Sequence, residues 1–159
     1  MQKRQLPGSK NRAGMTINQT PRAWVVDSSA ALRAILGHSE AAKSWFNAAK
    51  NRGDYLIISR FGELEIVRTT KRLGFPISDA HLFLAGFDVA TVDDALLLEA
   101  AAIPFKLSGA DSVHIATALE YGNSVVGLVT HDREMAEAAK NLGFTVLDPV
   151  TEDPNGSVA

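Results

Sequence analysis

Hydrophobic positions along this chain gather in short unbroken runs. Ala23-Trp24-Val25-Val26, Tyr55-Leu56-Ile57-Ile58, Val89-Ala90-Thr91-Val92, Val125-Val126-Gly127-Leu128-Val129 and Phe144-Thr145-Val146-Leu147 are apolar nearly throughout. Such runs suit strands covered on both faces by helices, whereas strict alternation would mark a sheet with one wet face. The segments between them carry helix start and stop signals. They predict helices over 30–36, from Ser39 to Lys50 with Gly53 closing it, and from a Ser59 cap to about Leu73. Further helices are predicted from Ser78 to about Phe87, Asp93 to Ile103, Ser108 to Tyr121 and Asp132 to Leu142. Strands alternating with helices predict a three-layer α/β/α sandwich on a mainly parallel sheet.

With 159 residues the chain has room for one domain with a substantial core. Residues 23–150 hold all the predicted elements; 151–159 read as a frayed tail. Residues 1–22 lack periodicity and carry Lys3, Arg4, Lys10, Arg12 and Arg22 without an acid, so they read as a disordered or loosely attached basic extension. The remaining residues hold 11 basic against 18 acidic side chains, a net of −7. An acidic body is unlike a passive nucleic-acid binder and suits a protein that concentrates carboxylates around cations. The absence of cysteine excludes a disulfide framework, a thiolate zinc site and a cysteine nucleophile. No apolar stretch reaches the roughly 18 residues of a membrane span, and the first residues lack the apolar centre of a secretory signal. A soluble, cytoplasmic protein is expected.

Several acids fall at element junctions. Asp27 ends the first strand, at the sheet edge where ligands collect in open α/β folds, although a helix N-cap would also account for it. Asp111 lies in the first turn of a helix, where Ser108-x-x-Asp111 also fits a capping box, and Asp132 follows the fourth strand, where it also fits an N-cap. Glu63 and Glu65 lie on the helix after the second strand, about 200° apart, so one at most faces the other acids. Arg68 and Arg72 share the side of Glu65 and favour it, since a basic pair beside a carboxylate holds phosphates next to a metal; an i,i+3 ion pair to Glu65 accounts for Arg68 equally well. Hard carboxylate oxygens with few histidines favour Mg²⁺ or Mn²⁺ over zinc or copper. His114, three residues after Asp111, reads more readily as a packed side chain than as a ligand. Trp24, Trp45 and Phe46 lie at core spacing.

The ordered set of a strand ending in Asp27, Ser59 with Glu65 and Arg68, Asp111-x-x-His114-x-Ala116-x-Ala118, and Val129-Thr130-x-Asp132-Arg133 followed by Ala138-Ala139 and Gly143 resembles the PIN-domain ribonucleases. Within them it is most similar to the VapC toxins of type II toxin–antitoxin pairs, over about Ala23 to Pro149. Departures are Gly62 inside the second-motif helix and Ser108-Gly109, where many relatives carry an arginine. The resemblance implies a metal-dependent endoribonuclease that leaves a 5′-phosphate and a 3′-hydroxyl, with Asp27, Glu65, Asp111 and Asp132 as the acidic quartet holding Mg²⁺ or Mn²⁺. Asp27 and Asp111 are expected to ligate directly. Ser28 and Thr130 are placed to orient ligands through their hydroxyls, and Arg68 and Arg72 to meet RNA. The implied partners are an RNA substrate, a small VapB-like antitoxin and a second copy of the chain in a homodimer. A PIN-like module without activity, or a housekeeping nuclease, remains the alternative. A haloacid-dehalogenase phosphatase would need a second Asp where Ser29 stands.

Overall fold

The computed structural model describes residues 3–7 and 20–151. Five strands form one sheet: β1 (Ala23–Val26), β2 (Tyr55–Ser59), β3 (Phe87–Ala90), β4 (Gly127–Val129) and β5 (Thr145–Leu147). Their order is β3-β2-β1-β4-β5, and every neighbouring pair is parallel. Val25 lies opposite both Ile57 and Leu128. The connections are helical: α1 (Ser28–Ile35) and α2 (Glu40–Arg52) follow β1, while α3 (Arg60–Arg72) and α4 (Ile77–Leu84) follow β2. After β3 come α5 (Asp94–Ala101), α6 (Gly109–Tyr121) and a 3₁₀ turn, and α7 (Arg133–Asn141) joins β4 to β5. The chain starts in the middle of the sheet, works outward through β2 and β3, then returns to the other side of β1. That reversal puts the topological switch point between the carboxyl ends of β1 and β4, where α/β folds open a crevice.

The unbroken apolar runs are explained by burial on both faces. Trp24, Val26, Leu56, Ile58 and Val129 pack with Ala30 and Ala34 of α1, Phe46 of α2 and Ile66 of α3. Val25, Ile57 and Leu128 point the other way, onto Ile115 and Ala118 of α6 and Met135 and Ala139 of α7. On the first face, Trp24, Trp45, Phe46 and Phe83 form a chain of edge-to-face rings with centroids 5.0–5.8 Å apart. Lys50 donates to the Phe83 carbonyl at 2.8 Å and lies 4.5 Å from the Phe83 ring centre; burial lowers its pKa. The aromatic residues are core, as their spacing indicates.

Several boundaries depart from the sequence expectation: β3 ends at Ala90 rather than Val92, and β4 begins at Gly127 rather than Val125. The fourth helix stops at Leu84 rather than near Phe87, and β3 begins at Phe87 rather than Val89. Phe83-Leu84-Ala85-Gly86-Phe87 satisfies either period locally; pairing of Phe87 with Leu56 and its contact with Phe83 decide for the strand, after Gly86 has broken the helix. Of the basic extension, residues 3–7 lie along the body. The Arg4 amide donates to the Glu120 carbonyl at 2.8 Å, its guanidinium pairs with the buried Glu120 carboxylate and donates to the Thr91 carbonyl, and Leu6 packs against the second core. Of the expected extension, residues 1–2 and 8–19, and of the expected 151–159 tail all but Thr151, fall outside the described residues. Among the described residues no helix is long and apolar enough to cross a membrane.

Gly127 is the tightest approach in the sheet, since a Cβ there would sit 1.8 Å from the backbone oxygen of Thr145. Backbone cannot swing aside as a side chain does, so Gly127→Ala is expected to cost about 4 kcal/mol or more by breaking the β4–β5 register. Urea unfolding checks this, and an unchanged midpoint would show that β5 moves freely.

Candidate active site

Asp27 follows β1 at the N-cap position of α1, with extended backbone (φ −86°, ψ 147°), yet its side chain makes no capping hydrogen bond. Asp27 is 3% exposed, and its side chain is turned into the crevice. Oδ2 accepts from Thr130 Oγ1 at 2.9 Å and from the Ser29 hydroxyl, and Oδ1 from Ser28 Oγ at 3.4 Å. The simple capping explanation of Asp27 therefore fails. Three hydroxyl groups from two elements aim at one buried acid, an arrangement that fixes its oxygens in space.

Glu65 and Glu63 part as helical geometry requires. Glu65 lies on the crevice side of α3, half-buried, with Oε1 accepting from Ser28 Oγ at 3.2 Å and lying 2.9 Å from His114 Nε2. Glu63 pairs outward with Arg60 at 2.7 Å. His114, on α6, is fully buried and also stands 3.4 Å from Asp27 Oδ1. Burial alone would pull the His114 pKa down, but the hydrogen bond to Glu65 and the charges of Asp27, Glu65 and Asp111 outweigh it, and the imidazole binds its proton more firmly than usual.

Asp111 opens α6, where its amide donates to Ser108 Oγ at 3.1 Å, the forward half of the capping box. Burial raises its pKa, and although the Ser108 hydrogen bond opposes this, the charges of Asp27 and Asp132 reinforce it. These three acids thus share a field although their sequence positions span 27 to 132. Asp132 caps α7 through Oδ1, accepting from the Met135 amide at 2.8 Å, while its own amide donates to Thr130 Oγ1 at 3.0 Å. Thr130 is buried and links the two strand ends, donating to Asp27 and accepting from Asp132. Among the described residues no three His, Asp or Glu side chains close on one point as they would around an ion. Asp27 and Glu65 instead share the Ser28 hydroxyl and the His114 imidazole between them.

Arg68 and Arg72 are exposed on the Glu65 side of α3, and among the described residues neither forms an ion pair. Two residues escaped sequence reasoning. Ser29 donates to Asp27 and accepts from the His131 amide at 3.1 Å, so it ties β1 to the β4 end; its place in Asp27-Ser28-Ser29 was the available signal. Asp148, just past β5, accepts from His131 Nδ1 at 3.0 Å and repeats the pattern of an acid after a strand.

A parallel sheet with acids at its switch point, one of them held on three hydroxyls, defines an α/β domain with an acidic crevice. Over residues 24–141 the chain matches the family model described as PIN domain, and it belongs to that family. It is 25% identical over 129 residues to "Ribonuclease VapC47" of Mycobacterium tuberculosis, covering 78% of this chain and 95% of that protein. With "Ribonuclease VapC46" of the same species it shares 40% identity over 67 residues, 42% of this chain and 52% of the relative. Among solved structures, a "Toxin-antitoxin complex from Klebsiella pneumoniae" matches in fold, with a TM-score of 0.61 at 17% identity over 79% of this chain and 97% of that one.

The field on Asp111 gives a measurable sign. Because its folded pKa lies above the unfolded value, the ionised form penalises the fold at neutral pH, and the penalty shrinks as pH falls below that raised pKa and is gone below the unfolded one. In chelator, Asp111→Asn is expected to melt above the wild type at pH 7, with the two curves converging in acid. A variant melting below the wild type at pH 7 would mean that Asp111 is held by a favourable partner.

Proposed function

We propose that this chain is a divalent-metal-dependent endoribonuclease acting as the toxin of a toxin–antitoxin pair, with Asp27, Glu65, Asp111 and Asp132 holding Mg²⁺ or Mn²⁺. The observation that carries this is the carboxylate of Asp27, which leaves its own helix uncapped and is instead buried on the hydroxyls of Ser28, Ser29 and Thr130. The donor set fits such an ion: it is all hard oxygen, and Asp27 and Asp132 already press on Asp111 in a way that a cation relieves. When bound, the ion acidifies a water and neutralises charge on the phosphate.

The remaining tasks fall to side chains of this chain. Thr130 and Ser29 hold Oδ2 of Asp27, and Thr130 at the same time holds the Asp132 backbone, so both strand ends keep one spacing. Glu65 meets the site from the opposite helix. Arg68 and Arg72, one turn apart and exposed on the Glu65 side, supply positive charge to an RNA backbone that would otherwise be repelled by an acidic body. The relatives named ribonuclease and the toxin–antitoxin complex with this fold support the substrate class and an antitoxin partner. A homodimer working in the cytoplasm completes the proposal.

The full chain incubated with a mixed RNA pool is expected to cleave with Mg²⁺ or Mn²⁺ and to stop on addition of chelator. Asp27→Asn removes charge at constant shape and is expected to abolish cleavage while keeping the fold. Thr130→Val, which removes only the hydroxyl that orients Asp27, is expected to lower the rate by about 10–100-fold. Chelator-resistant cleavage, or wild-type cleavage by Asp27→Asn, would end this reading.

A further inference from the structure

Gly62 stands in the first turn of α3, where glycine costs about 1 kcal/mol relative to alanine, and no turn or positive φ calls for it. Its reason lies on β2 and on α6. A Cβ at Gly62 would come within 2.9 Å of His114 Cε1 and 2.7 Å of Ile58 Cγ1. The missing side chain leaves the space in which the Cε1 corner of the imidazole comes close to α3. In that seat His114 turns one nitrogen to each end of a chain of polar groups. Nδ1 lies 3.5 Å from Ser59 Oγ, which caps α3 by accepting from the Gly62 amide at 3.0 Å. Nε2 lies 2.9 Å from Glu65 Oε1. A carboxylate oxygen only accepts, so Nε2 carries the proton toward Glu65.

We propose that His114 is a positioning residue: seated in the gap left by Gly62, it holds Glu65 on the crevice side of α3 through its Nε2–H, so that the contribution of Glu65 to cation binding depends on His114. This rests on the carboxylates being the cation holders, as proposed above. Three observations favour it over plain packing. The ring is fully buried yet polar at both nitrogens; Glu65 is half-buried and, among the described residues, has only Ser28 besides His114 as a recorded hydrogen-bond partner; and a glycine unfavourable to its own helix is what opens the seat.

The test measures Mn²⁺ binding to the full chain by calorimetry, beside RNA cleavage. Gln places its amide nitrogen where Nε2 lies, whereas Asn places it near Nδ1, toward Ser59. His114→Gln is therefore expected to keep Mn²⁺ affinity within a few-fold, and His114→Asn and His114→Leu to lose about 10–100-fold. In the His114→Leu background, Glu65→Ala is expected to add little further loss. Far-UV circular dichroism and melting select the folded variants, and the Gln/Asn pair decides the matter if Leu does not fold. Equal affinity in the Gln and Asn variants, or multiplying losses from His114→Leu and Glu65→Ala, would overturn the positioning role alone. A wild-type chain that binds no Mn²⁺ would overturn the parent reading and this one with it.

Discussion

Holding several carboxylates beside one another without letting them recoil is the constraint on which this structure turns. An ionised acid taken out of water needs donors, and each additional acid in the same pocket raises that need. The chain answers with short, stiff donors from more than one element: the hydroxyls of Ser28, Ser29 and Thr130 on Asp27, and the imidazole of His114 on Glu65. These donors are themselves fixed at both ends. Thr130 accepts the Asp132 amide and Ser29 the His131 amide, so the group that satisfies an acid also joins two strand ends.

The sheet makes that meeting possible. Its order sets β1 and β4 side by side although about a hundred residues separate them, and a parallel ladder delivers Asp27 and Thr130 to one edge. The close contact of Gly127 with β5 and the double burial of the strands keep the ladder in register. Helix α6 then carries Asp111 and His114 on successive turns of a helix buried from Val113 to Ala118, so neither can drift without repacking the core.

Most of the fold was legible because apolar runs, caps and breakers agree at each level. Ser39, Ser59, Asp93, Ser108 and Asp132 all cap the helices whose starts they mark in the sequence. Legibility failed between Phe83 and Phe87, where one stretch fits two periods and only a partner strand decides. For the site, strand ends announced Asp27 and Asp132, and helical angles separated Glu63 from Glu65 without saying which faced inward. The meeting of Gly62 with His114 lies between helices remote in sequence, so no local pattern encodes it. Ser29 and Asp148 were visible as residue types, but their partners were not.

The two outer strands carry a consequence for assembly. β3 has four residues and β5 has three, each pressed at its ends by turns and helices. Edges so brief offer too few free backbone groups to recruit a foreign strand, which discourages fibril growth and sheet-to-sheet fusion. Recognition through side chains discriminates among partners by shape and charge, where backbone pairing would accept almost any extended peptide.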